Sequence, residues 1–108
     1  MGLERLGRDR DEAVVAAAVE LALKCDWPLL ALIQVCFLGA EDFEAHEARV
    51  CIYQGERLDD PQRPRRHTPE QYLKSGAQML ELFADVPEAV HNTVIFAQRC
   101  NLLLRLGH

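Results

Sequence analysis

The sequence predicts an α-rich α/β fold in which four or five helices pack on one or two short strands. Segments rich in alanine and leucine, strong helix formers, alternate with helix-capping patterns. One continuous apolar run, residues 29–38, is bounded by Pro28 and Gly39 and suits a buried strand. The 108 residues are 49% hydrophobic and 27% charged, which is typical of one soluble domain spanning residues 1–108.

The charge and the cysteines restrict the function classes. A formal net charge of −5 argues against broad binding to nucleic acid or to anionic membranes, since both require a positive field. No apolar run approaches the ~20 residues of a membrane span, and the charged N-terminus has no signal-peptide core. We therefore expect a cytoplasmic protein. The cysteines form no Cys-x-x-Cys pattern, and we expect free thiols at Cys25, Cys36, Cys51 and Cys100.

The first half of the chain predicts a helix, a strand and a second helix. Residues 11–25 form an alanine-rich helix with a wide, largely buried apolar face, and the helix ends before Pro28. Residues 29–38 form a strand of a parallel sheet, although the excess of leucine over valine leaves a buried helix open. Residues 41–54 form a helix whose acidic first turn complements the positive helix end and whose Phe43 and Val50 face inward.

The second half begins with a surface loop over residues 55–67. Capping patterns then occur at Thr68, Ser75 and Asp85. They predict helices over residues 69–74, 76–84 and 87–100. Asn101 would be a left-handed cap, and residues 102–106 would close the chain as a short strand.

Three blocks of the sequence carry a resemblance to a known family. They are residues 45–50 (AHEARV), 59–73 (DDPQRPRRHTPEQYL) and 81–90 (ELFADVPEAV). Together they resemble the C-terminal portion of the PHP domain (polymerase and histidinol phosphatase domain) of bacterial replicative DNA polymerase III alpha subunits. The resemblance extends from Leu3 to Gly107. It implies a fragment of a PHP (β/α) barrel and a role in DNA replication.

The resemblance also implies where a metal ligand motif should lie, and the motif is lost. PHP domains hold metals with His, Asp and Glu, and one such motif ends the strand that matches residues 31–37. The position of the ligand aspartate is Gln34, and the position of a histidine or arginine is Cys36. A neutral amide is a poor ligand for a hard cation because it brings no charge. We therefore expect no metal, no cofactor and no catalytic residue.

The histidines show no ligand spacing. None of His46, His67, His91 and His108 is paired at four residues with a second ligand in a recognised pattern. We expect them at a helix surface or a core edge. A nucleophilic pair of Cys36 with His46 is conceivable at a strand end, but no third orienting residue and no oxyanion-hole glycine loop accompany it.

The loop contains a cluster of basic residues, namely Arg57, Arg63, Arg65, Arg66 and His67. Arginines can clamp a phosphate with two hydrogen bonds. Acidic residues lie beside them, at Glu56, Asp59 and Asp60, and few aromatic residues are available for base stacking. The cluster therefore predicts a solvated or locally ion-paired loop, not a nucleic-acid site.

Several positions are apolar where the family has polar residues. The resulting interface candidates are Leu32, Ile33, Ile95, Phe96 and Leu103. These residues either repack the core of a fragment or create an exposed patch for association. Ile95 and Phe96 are adjacent and cannot share one narrow helix stripe, so one of them faces something other than the core.

The leading functional prediction is a non-catalytic structural or interaction module, engineered or designed as a scaffold or binder. It would associate with itself as a homodimer or with a protein partner. One alternative is a genuine segment of the bacterial replicative DNA polymerase. A second alternative is an enzyme, either a residual metal-dependent phosphoesterase or a cysteine hydrolase.

Overall fold

The computed structural model describes residues 1–107, and His108 lies outside the described residues. Its elements are β1 (Gly2–Glu4), α1 (Asp11–Cys25), β2 (Leu30–Leu32), α2 (Phe43–Gln54), α3 (Gly76–Leu82) and α4 (Pro87–Arg99). A 3₁₀ turn, Ala40–Asp42, leads into α2. This helix-rich arrangement around a short sheet agrees with the predicted α-rich α/β class. Among the residues described, no helix has both the length and the apolar character to cross a membrane.

The first two strands and the helix between them form a βαβ unit. β1 and β2 are parallel, with Leu3 opposite Ala31. α1 packs on β1, and α4 packs on β2 and contacts α3. The Asn92 side chain on α4 donates a hydrogen bond to the Leu29 carbonyl at 2.9 Å, which ties the last helix to the start of β2. The buried core of this unit comprises Leu3, Val15, Ala22, Leu29, Ala31, Phe83, Val86 and Ala89.

The predicted strand over residues 29–38 is shorter than expected. Regular pairing covers only Leu30–Leu32, because β1 offers three residues as a partner. A single parallel bridge joins Phe37 to Tyr72 further along. Val35 and Leu38 are exposed, so this segment is not buried on both faces.

The predictions of a helix at 69–74 and a strand at 102–106 are wrong. The Gln71 side chain accepts a hydrogen bond from the Thr68 amide, as a capping pattern requires, but the Tyr72 backbone pairs with Phe37. Tertiary pairing therefore replaces the helix. Residues 102–106 have no neighbouring strand and remain irregular and exposed. Asn101 is not left-handed, and the left-handed caps are Asp26 after α1 and Gly55 after α2.

The helix α1 is much more exposed than its composition predicts. Val15 and Ala22 are its buried residues, whereas Val14, Leu21 and Leu23 face solvent. The radius of gyration is 17.4 Å, compared with about 13 Å for a compact chain of this length. Within residues 1–107, many large apolar side chains therefore remain exposed, because the fold is too extended to bury them.

Arg5 connects the end of β1 to the turn between α3 and α4. Its Nη1 and Nη2 donate to the two carboxylate oxygens of Asp85 at 2.6 and 2.8 Å, and Nη1 also donates to the Leu82 carbonyl at 2.9 Å. The guanidinium lies 5.3 Å from the centre of the Phe83 ring. These hydrogen bonds favour the ionised carboxylate and lower the pKa of Asp85.

We expect Asp85→Asn to lower the melting temperature at neutral pH. The lowered pKa means that the Asp85 carboxylate stabilises the fold above pH 3.8, its ordinary pKa, and that this contribution disappears as pH falls through the folded-state value. The difference between variant and wild type should therefore vanish in acid. Thermal unfolding by circular dichroism over a pH series measures it. Asp9→Asn, at an exposed position, is the matched control, and an acid-independent difference would contradict the expectation.

Candidate functional site

A cleft between the end of the β2 segment, α2 and the loop before Tyr72 contains a group of reactive side chains. Its volume is about 510 Å³. The residues that line it are Cys36, His46, Arg49, Val50, Tyr53, Gln54, Arg66 and His67. They come from three separate parts of the chain, so the tertiary fold creates the cleft.

Backbone pairing places Cys36 at the edge of this cleft. The Cys36 amide donates to the Gln71 carbonyl at 2.8 Å, and the Leu73 amide donates to the Phe37 carbonyl at 3.1 Å. The Cys36 sulfur also accepts a hydrogen bond from the Gln71 side-chain amide at 3.6 Å. The thiol is thereby held in one orientation, half-buried, and is not part of a disulfide.

The two histidines of the cleft contact each other directly. His46 lies on α2, and its ring centre is 4.6 Å from that of His67 in an edge-on arrangement. The other side of the His46 ring contacts Phe37, with ring centres 5.4 Å apart. One ligand atom from each of Cys36, His46 and His67 lies within 4.8 Å of the other two. The chain thus brings together three side chains that bind soft and borderline metals.

Glu47 lies behind the two histidines and is 3% exposed. Its Oε1 is 3.9 Å from Nδ1 of His46 and 3.7 Å from Nδ1 of His67. Its Oε2 accepts a hydrogen bond from Nη1 of the buried Arg63 at 2.6 Å. Glu47 Oε1 and both Nδ1 atoms are buried and have no hydrogen-bond partner. Unpaired buried polar atoms are costly, so this group of three requires an explanation.

The electrostatics of the cleft favour neutral imidazole at His67. Burial is the main cause that lowers the pKa of His67, and the neighbouring His46 adds to it. Arg66, at the cleft rim, donates to both carboxylate oxygens of Glu56 at 3.0 and 3.1 Å and lowers the pKa of that carboxyl. Arg49 also lines the cleft. The cleft therefore combines an imidazole whose pKa is lowered with two arginines, one of which is paired with a carboxylate.

The structure distributes the predicted basic cluster into local ion pairs. Arg63 pairs with the buried Glu47, Arg66 with Glu56, and Arg57 with Asp59 at 3.6 Å. The pairs of Arg57 and Arg66 agree with the predicted ion-paired loop. Arg63 is instead buried against Glu47 of α2, so the prediction of a solvated surface loop is wrong at this residue. Gln34, at the lost ligand position, is exposed, and its backbone amide donates to the Glu4 carboxylate at 3.0 Å.

The interface candidates remain predictions, but their positions are defined. Leu32, Ile95, Phe96 and Leu103 are 39–88% exposed, and Ile33 is partly buried. Ile95 and Phe96 line a second, more apolar groove of about 160 Å³ together with Pro28, Leu30, Asn92 and Arg99. They are thus adjacent to the sheet but outside the buried core.

The sequence indicated only a conceivable pair of Cys36 with His46, and the third member of the group, His67, was missed. His46 and His67 are partly buried, as expected for residues at a core edge. The contact between their two rings was not predicted. No local spacing signals it, because the three residues belong to different elements. The three residues come together because the segment after β2 and the loop before Tyr72 both lie near α2, and no pattern in the sequence indicates this.

Comparison with known proteins identifies related sequences. No family model matches the chain. It is 51% identical over 107 residues to the DNA polymerase III subunit alpha of Haemophilus influenzae, covering 99% of the chain. The corresponding subunits of Pseudomonas aeruginosa and Escherichia coli K12 are 54% and 51% identical over 105 residues, or 97% of the chain. The chain spans 9% of the length of each relative. These identities confirm the resemblance to bacterial DNA polymerase III alpha subunits.

Proposed function

We propose that this chain, a homologue of one segment of the DNA polymerase III alpha subunit, is a structural segment of a bacterial replicative polymerase. The observation that carries the proposal is the identity of 51–54% over 97–99% of the chain to subunits of which it spans 9%. In this role it packs against other parts of a polymerase and contributes no polymerising centre.

The exposed apolar surface supports a packing role. α1 presents Leu21 and Leu23 to solvent, and α4 presents Ile95 and Phe96. Large exposed apolar areas favour contact with another protein surface. The βαβ unit with its short parallel sheet is also the element that a (β/α) barrel repeats, and it supports the assignment to a PHP-type barrel.

The same surface is compatible with an engineered, self-associating module. Exposed strand edges and apolar helix faces favour homodimers. The high identity to natural subunits over nearly the whole chain supports the polymerase segment better than the engineered module. In the first proposal another part of the polymerase covers α4, whereas in the second a second copy of this chain covers it. An association experiment can distinguish the two.

A complementation experiment tests the proposal. The E. coli alpha subunit lacking its matching 105-residue region is mixed with this chain, and the mixture is analysed by size-exclusion chromatography with light scattering. We expect a 1:1 complex, because the missing region would leave a complementary apolar surface. Ile95→Asp with Phe96→Asp should abolish the complex. Ile52→Asp, on the exposed side of α2, is the matched control and should leave it intact.

A homodimer that ignores the truncated subunit would contradict the polymerase proposal. It would support the self-associating module if the Ile95 and Phe96 substitutions dissociated it. Primer extension by the restored complex, measured against the truncated subunit alone, then reports whether the segment supports DNA synthesis.

A further inference from the structure

We propose that Cys36, His46 and His67 form a mononuclear Zn²⁺ site in which Glu47 orients both histidines. The inference is independent of the proposed polymerase role, because it rests on the geometry of the cleft. Two of the three ligands, His46 and His67, lie outside the positions where the resemblance places metal ligands. The site is therefore a property of this chain's own residues.

The ligand set and its spacing suit zinc. Zn²⁺ binds thiolate at about 2.3 Å and imidazole at about 2.0–2.1 Å in tetrahedral geometry, so ligand atoms lie about 3.4–3.6 Å apart. The three atoms here lie within 4.8 Å of one another. Small side-chain rotations bring them to the required separation. A thiolate with two neutral imidazoles disfavours Mg²⁺ and Ca²⁺, which prefer oxygen ligands.

The unpaired buried atoms provide a second, independent observation. Glu47 Oε1 is 3.9 Å from Nδ1 of His46 and 3.7 Å from Nδ1 of His67, and none of these three buried atoms has a hydrogen-bond partner. Metal-bound histidines typically donate their second ring N–H to a carboxylate. When metal binding brings both Nδ1–H groups into hydrogen bonds with Glu47, each Nε2 becomes the ligand atom. Metal binding thus explains why a carboxylate is buried beside two imidazoles.

Arg63 fixes Glu47 in this position. Its hydrogen bond of 2.6 Å to Oε2 leaves Oε1 for the histidines. The Arg63 and Glu47 side chains are 2% and 4% exposed, so water does not compete for the pair. The carboxylate is therefore oriented before the metal binds.

The fourth coordination position would face the cleft. Three protein ligands with one open position are typical of zinc sites that bind water or an exchangeable ligand. Arg49 lines the same cleft, so a small anion fits the open position better than a cation does. On binding, the Cys36 thiol loses its proton to solvent and the thiolate bonds to the metal.

Metal titration of the full chain tests the site. Equilibrium dialysis against ZnCl₂ should give one zinc per chain, and zinc should raise the melting temperature because it binds the folded state. Co²⁺ should produce a thiolate-to-cobalt charge-transfer band and the visible bands of a tetrahedral site. Cys36→Ser and His67→Gln should each weaken zinc binding at least about 100-fold, since even the loss of a group that only orients a ligand costs about 10–100-fold. Glu47→Gln should weaken it about 10–100-fold.

Matched controls separate this site from adventitious binding. Cys25→Ser and His91→Gln change the same residue types outside the cleft and should leave zinc affinity unchanged. If wild type binds no zinc, or if Cys36→Ser and His67→Gln bind it as tightly as wild type, the proposal is overturned. Circular dichroism verifies that each variant is folded.

A labelling experiment tests the site without any variant. Zinc should protect Cys36 from alkylation by iodoacetamide, while the exposed Cys25 and Cys100 react at unchanged rates. Peptide mass spectrometry assigns the label. Reaction of Cys36 at the same rate with and without saturating zinc would overturn the proposal, even if a substituted variant failed to fold.

Discussion

Phe83→Ala is expected to reduce the free energy of unfolding by about 3–5 kcal/mol, as truncation of a buried phenylalanine generally does. Phe83 is 0% exposed and follows α3 directly, where it contacts the core shared by Leu3 and Val86. Its ring also lies beneath the Arg5 guanidinium. Small domains have a total stability of about 5–15 kcal/mol, so the variant should be close to unfolding.

Urea denaturation followed by circular dichroism measures this loss. Leu80→Ala on α3 is the matched control, because Leu80 is 56% exposed and its truncation should cost much less. Equal losses in the two variants would contradict the core described here. They would mean that Phe83 is not packed in the core with Leu3 and Val86 in solution.

Local sequence signals predicted the helices better than the strands. Asp11–Cys25 and Phe43–Gln54 lie where composition and acidic first turns place them. The capping box before α3 forms as predicted, with Ser75 and Gln78 exchanging hydrogen bonds of 2.9 and 3.2 Å. These signals are contained within a few residues, so one sequence is enough to recognise them.

The failures occur where distant residues compete with a local signal. Thr68 begins a capping pattern as good as that of Ser75, but its hydroxyl donates to the Leu6 carbonyl at 2.5 Å and the segment pairs with Phe37. The pairing of Gly2–Glu4 with Leu30–Leu32 was not predicted, because three-residue strands carry almost no periodicity.

The candidate site could not be predicted from local sequence patterns, because it also depends on contacts between distant residues. Cys36, His46 and His67 are separated along the chain, and the pairing of Phe37 with Tyr72 and the position of α2 bring them together. No sequence pattern singled out Glu47, yet it is buried. A buried carboxylate on a helix of mixed polar and apolar residues cannot be distinguished from an exposed one by composition alone.

The second large effect is expected for Glu47→Leu. Removing the carboxylate leaves the Arg63 guanidinium without its 2.6 Å partner in a site where neither side chain reaches water. Loss of one member of a buried ion pair is strongly destabilising, since the remaining charge is uncompensated. We expect the melting temperature to fall by roughly 10 °C or more. Thermal unfolding with a chelator present measures the effect without any contribution from metal. Glu44→Leu, on the exposed side of α2, is the control.

The double variant Glu47→Leu/Arg63→Met should recover most of that loss. Replacing both charges by apolar side chains removes the desolvation cost together with the attraction, and such exchanges are often neutral. If the double variant is no more stable than Glu47→Leu, an uncompensated Arg63 is not the cause of the destabilisation. The same pair of variants separates stability from metal orientation. A double variant that is folded yet binds zinc about 10–100-fold more weakly than wild type would assign Glu47 a role at the histidines beyond its ion pair.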